Sequence, residues 1–161
     1  MRILTLAAIL IAGGAVLSFA DRNTEEKEKE AILDVIRGET MSFYHKDFRE
    51  FENAWAHGDY VRIMGWWKDG GITVRKGWSE IGDHMKSKMA AEPKPIAQVP
   101  RIENVNLRIS DDMAWVTFDQ YGEDTGSPSF DMPGVSRETR ILEKQNGQWK
   151  IVYVGWLLQG K

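Results

Sequence analysis

The sequence predicts an α+β fold, with three N-terminal helices packed on a strongly curved antiparallel sheet. Three observations carry this reading. Apolar residues recur at helical spacing in two early stretches and again after Gly77. The remaining apolar residues alternate with period two, in segments bounded by Gly, Pro, Asn and Asp. Those segments follow one another as hairpins instead of alternating with helices, which separates α+β from α/β architecture.

The chain has 161 residues, enough for one domain with a proper core. Its apolar fraction of 42% and charged fraction of 28% are ordinary for a globular protein. With 21 Lys+Arg against 24 Asp+Glu and no basic tract, a nucleic-acid partner has no electrostatic support. The seven Trp residues serve either as large core fillers or as a cavity wall or interface.

Arg2 precedes an apolar or small run from Ile3 to Ala20, with Ser18 and Ala20 at the small-residue positions of a cleavage site before Asp21. The run is short for a membrane span of about 20 residues. It therefore reads as a signal peptide over residues 1–20, leaving residues 21–161 as an exported domain, periplasmic or secreted, with no stable membrane span after cleavage. An uncleaved anchor is the alternative. The absence of cysteine means no disulfide to form and no thiol to lose in an oxidising compartment.

Asn23, with Glu26 three residues on, has the form of a capping box opening helix one, whose stripe includes Ile32, Ile36 and Phe43. Asp47 and Glu50 cap a shorter second helix with Phe48, Phe51, Ala54 and Trp55 inside, stopped by Gly58. Tyr60 to Trp67 alternates as a strand and turns at Lys68-Asp69-Gly70-Gly71 into Ile72 to Arg75. Val61, Ile63, Gly65 and Trp67 share one face, paired with Ile72 and Val74. Gly77 and Glu80 open a third helix with stripe Trp78, Ile81, Met85 and Met89, followed by a proline-stiffened loop.

Two long hairpins close the chain. In the first, Val105, Leu107 and Ile109 face Ala114, Val116 and Phe118, while Asn104, Arg108, Trp115, Thr117 and Asp119 lie opposite. Residues 122–136 form a crossover at one rim. The second hairpin turns at Asn146-Gly147, which sets Leu142 opposite Ile151, Arg140 opposite Tyr153 and Glu138 opposite Gly155. Alternation leaves two registers open: one buries Arg140 with Leu142 and Ile151, the other buries Thr139, Ile141, Val152, Val154 and Trp156.

Glu138-Thr139-Arg140, followed by Gln145 through Val152, resembles the closing hairpin of SnoaL-like members of the nuclear transport factor 2-like superfamily. The stretch from Tyr44 through Asp47 to Trp55 is similar to their link between helices one and two. The resemblance spans about residues 25 to 158 and implies a cone-shaped α+β barrel with a pocket at its mouth. It also implies that Arg140 points into that pocket. An inward Arg140 would favour a small organic acid, with Tyr153 adding a hydroxyl and Trp67 an aromatic wall. Glu39 interrupts the apolar stripe of helix one, so it is either solvated or aimed into the cone as a candidate base or acid.

The resemblance does not fix an activity, because the superfamily holds enzymes, binding domains and assembly domains. The base and oxyanion positions of its ketosteroid isomerases fall on Ile63, Glu39 or Thr40, and Arg140, so that mechanism is not retained. His45, His57 and His84 make no His–Asp pair on one predicted inner face, and no metal-ligand spacing or phosphate-cradling loop is present. The expectation is an exported protein that holds a small anionic or apolar organic ligand without a cofactor or metal. An isomerase, dehydratase or cyclase using Glu39 and Arg140 is the first alternative. The second is a dimeric accessory domain without a working pocket. The face carrying Asn104, Arg108, Trp115, Thr117 and Asp119 is the expected homodimer surface.

Overall fold

In the computed structural model of the chain, residues 8–67, 70–97, 99–122 and 134–158 are described, with side chains from residue 22 onward. The first seven residues of the expected signal peptide, Lys68 and Asp69 of the first turn, and residues 123–133 of the crossover lie outside the described residues. Helix α1 spans Ala8–His45, α2 Phe48–Asn53 and α3 Gly77–Ala91. The strands are β1 Arg62–Trp66, β2 Ile72–Lys76, β3 Arg101–Ser110, β4 Met113–Gly122, β5 Gly134–Gln145 and β6 Gln148–Leu158. They form one curved, unclosed sheet in the order β2-β1-β6-β5-β4-β3. Every junction is antiparallel except β1 against β6, which runs parallel.

The helical stripes behave as the spacing predicts. Ile32 and Ile36 of α1 and Ile81 and Met89 of α3 are buried against the sheet. Asp47 caps α2 by accepting from the Glu50 backbone N–H at 3.1 Å, and Phe51 and Trp55 fill the core behind it. Helix α1 does not begin at Asn23. Helical backbone passes straight through it, so the capping-box pattern there is unused. Glu28, near the middle of this helix, accepts from Lys144 Nζ and Trp149 Nε1, each at 2.7 Å, and fastens α1 to the β5–β6 hairpin. Among the described residues no helix is long and apolar enough to cross a membrane.

The hairpin turns are where the sequence puts them. Asn146 and Gly147 both take positive φ (50° and 80°), as a two-residue turn between twisted strands requires. Three registers differ from expectation. In the first hairpin Trp66 pairs with Ile72 and Met64 with Val74, so Ile72 and Val74 lie on the outer face, not with Ile63 and Gly65. Their inner places go to Thr73 and Arg75, and Arg75 meets Glu80 of α3 at 3.5 Å. In β3 an irregularity between Glu103 and Asn106 takes Val105 out of line, leaving it 43% exposed, while Ile102 turns inward beside Gln120. The third, in the last hairpin, decides the site.

Candidate functional site

Strand β5 presents Ser136, Glu138, Arg140 and Leu142 to the helix-facing side, all buried. Leu142 pairs with Ile151 as expected, but the register slips by one between Ile141 and Leu142. The extra residue in β6 is absorbed as a bulge at Val152. Beyond it Arg140 lies opposite Val154 and Glu138 opposite Trp156. The two registers left open by alternation are thus each half right: β5 follows the first, and the end of β6 follows the second.

Arg140 is only 5% exposed, with its guanidinium 5.4 Å from the centre of the Phe118 ring. Its Nη1 donates to Glu138 Oε2 at 2.7 Å and to the Thr139 carbonyl at 3.2 Å. The second oxygen of Glu138 accepts from the Ser136 hydroxyl. Glu39 enters the same region from α1, 8% exposed, and accepts from the Thr40 hydroxyl at a long 3.4 Å. Burial raises the pKa of Glu39. Arg140 opposes that rise, while the charge of Glu138 adds to it. The charge balance gives the same answer, since Glu138 already matches Arg140 and an ionised Glu39 would be a surplus buried anion. Tyr44, also near Glu138, has its hydroxyl pKa raised by burial first and by Glu138 second.

Several polar atoms around this cluster are unmet. Among the described residues Trp55 Nε1, Arg140 Nε, Trp156 Nε1 and Gln120 Oε1 are buried without a hydrogen-bond partner. The Trp55 indole N–H is near enough to Glu39 to favour its charged form, though it completes no hydrogen bond. The Trp156 ring lies on Gly65, where a Cβ would come within 2.0 Å of it. Buried donors and acceptors in this condition cost about 1–3 kcal/mol each unless water or a ligand meets them.

Of the four residues proposed from sequence, Arg140 and Glu39 lie in one buried region, near enough to interact electrostatically. Trp67 stands at the edge of the region, 36% exposed and edge-on to Trp156 at 5.5 Å, with its Nε1 bound to Thr73. Tyr153 does not join them. The bulge turns it to the outer face, opposite Ile141 and level with Arg62, and its ring packs over Gly155. Glu138, Ser136, Thr40 and Trp156 were missed. A readable signal existed for two of them: Ser136, Glu138 and Arg140 form a period-two polar run leading to the core residue Leu142. His57 is stacked on Trp78 at 4.3 Å and is exposed.

A cleft of about 310 Å³ opens between α1 and the start of β3, lined by Leu33, Arg37, Thr40, Met41, Val99, Pro100, Ile102 and Val105. It is largely apolar. Thr40 belongs to both sites, lining the cleft while its hydroxyl reaches Glu39.

Residues 34–155, well over half of the chain, match the SnoaL-like domain family. The chain belongs to the SnoaL-like domain family. Solved structures similar to this SnoaL-like chain share the fold at low identity. A provisionally assigned dehydratase of the NTF2-like family from Streptomyces avermitilis is 15% identical, with a TM-score of 0.67 over 85% of this chain and 99% of its own. An NTF2-like protein of unknown function from Pseudomonas putida KT2440 is 17% identical, with a TM-score of 0.64 over 82% and 87%. A provisionally assigned ketosteroid isomerase from Shewanella frigidimarina is 22% identical, with a TM-score of 0.53 over 78% and 94%. No curated protein matches the chain.

Proposed function

We propose that this SnoaL-like protein is an exported small-ligand-binding domain. Its ligand seats on the helix-facing side of the sheet against Arg140 and Glu39, reached through the cleft beside Thr40. The observation that carries this is the set of buried atoms without a hydrogen-bond partner among the described residues, Arg140 Nε, Trp156 Nε1 and Gln120 Oε1. A ligand that offers these atoms partners recovers their desolvation cost. The test is a thermal-shift screen of small organic compounds against the protein and against Arg140→Ala. Binding to the native state alone adds about 2.7 kcal/mol of stability at a hundred times the dissociation constant. A compound that raises the melting temperature of the protein and not of Arg140→Ala supports the site, and a screen without any shift overturns it.

One observation favours a second reading, an acid–base enzyme of the isomerase, dehydratase or cyclase kind. Glu39 is a buried carboxyl held toward its protonated form, the condition a general acid needs near neutral pH. Two of the similar structures bear dehydratase and ketosteroid isomerase descriptions. Glu39→Gln separates the readings: it keeps shape and neutrality, so a binding protein retains its ligand, whereas an enzyme loses turnover by 10²-fold or more, the usual worth of a general acid.

A second copy of the chain is the partner proposed for the outer face of the sheet. Ile72, Val74, Met64, Trp66 and Leu157 are all exposed there on neighbouring strands. Asp119 and Asn104, which the sequence suggested for that surface, bind each other at 2.7 Å, and Asp119 also pairs with Arg137.

A further inference from the structure

The Arg140 guanidinium would ordinarily mark a site for an anion, yet its charge is already matched within the fold. Glu138 stands two residues away on the same face of β5, and the two side chains, each 5% exposed, meet at 2.7 Å. The Ser136 hydroxyl holds the other carboxylate oxygen, so Glu138 cannot leave Arg140 without giving up two hydrogen bonds. Arg140 Nε, by contrast, is buried and has no partner. Glu39 faces this pair from α1, with Thr40 and Trp55 as its other polar neighbours.

We propose that Glu138 is a built-in counter-ion that sets the ligand class, so that the site takes uncharged ligands offering a hydrogen-bond acceptor to Arg140 Nε and refuses carboxylates. An incoming carboxylate would be a second buried negative charge against one guanidinium that Glu138 already matches, so its desolvation goes uncompensated by Arg140. A carbonyl or amide oxygen meets the unpaired donor without that penalty. Glu39 strengthens the selection, since in its acid form it presents a further donor to a neutral acceptor.

The use of the site rests on the ligand-binding reading above, but the counter-ion is tested directly, with acetate as the probe. Melting temperatures of the full chain at pH 7 are compared in 100 mM sodium acetate and in equal sodium chloride. The proteins are wild type, Glu39→Gln and Glu39→Gln/Glu138→Gln. Wild type and Glu39→Gln are expected to melt at the same temperature in both salts. The double variant leaves Arg140 without a carboxylate, so acetate is expected to raise its melting temperature by about 4 °C, or to restore folding if it does not fold in chloride. Acetate stabilisation of wild type would overturn the proposal. So would stabilisation of Glu39→Gln, which would make Glu39 the counter-ion. A double variant that acetate neither stabilises nor folds also overturns it. A wild-type protein that no organic compound stabilises counts against the ligand-binding reading alone, because the acetate result does not depend on it.

Discussion

Glu39 and the Glu138–Arg140 pair are a small electrostatic system whose parts constrain one another. Because the folded state raises the pKa of Glu39, it holds that proton more tightly than the unfolded chain does. The resulting stabilisation is complete below the ordinary glutamate range and is lost as pH climbs through the raised value. Urea unfolding between pH 4 and pH 8 should therefore show wild type losing stability relative to Glu39→Gln as pH rises, by up to about 1.4 kcal/mol per pH unit within that window. A pH-independent difference between the two would contradict the assignment. The ion pair makes a separate prediction. Arg140→Met alone strands Glu138 in the interior and should cost about 3–5 kcal/mol, whereas Glu138→Leu/Arg140→Met should recover most of that loss. Chemical denaturation of wild type, these two variants and Glu138→Leu closes the cycle. From sequence, Arg140 was visible as a motif residue and Glu39 as a charge on an apolar stripe. Their proximity was not, because it depends on two elements a hundred residues apart arriving on one side of a sheet.

At the scale of elements, local chemistry explains most of the fold and one bulge explains most of the surprises. Asp47, Asn146 and Gly147 do what their side chains and φ preferences dictate, so α2 and the last turn were legible. The bulge at Val152 was not, since a strand with apolar residues on both faces accepts either register and only the neighbouring strands choose. That choice turns Tyr153 outward and brings Trp156 in over Gly65. Gly65→Ala places a methyl where the Trp156 ring already lies, 2.0 Å from its nearest atom. It should destabilise the protein by about 1–3 kcal/mol and alter its near-UV tryptophan signal, read by denaturation and circular dichroism. An unchanged signal would mean that Trp156 does not rest on β1.

At the scale of the molecule, the helices cover one face of an open sheet, and among the described residues none covers the other. Five large apolar side chains on β1, β2 and β6 lie on that other face, an arrangement that commonly marks an interface. Sedimentation at increasing protein concentration should reveal self-association. Trp66→Glu with Val74→Glu should abolish it while leaving the fold intact, and a single monomeric species for wild type would rule the interface out. Export predicts a mature protein beginning at Asp21, which the mass of the protein recovered from the producing cell would verify.

What the sequence by itself determined was whatever depends on neighbours along the chain: helical stripes, caps, tight turns, the α+β order and the SnoaL-like character of the closing hairpin. What only the tertiary structure decided was which polar residues are buried together. Period-two alternation names two faces without saying which is inside, and a one-residue bulge exchanges them part-way along a strand. Arg140 belongs to the interior because β4, β6 and α1 close around it, and Glu138 becomes its partner because the two are buried on one face of β5.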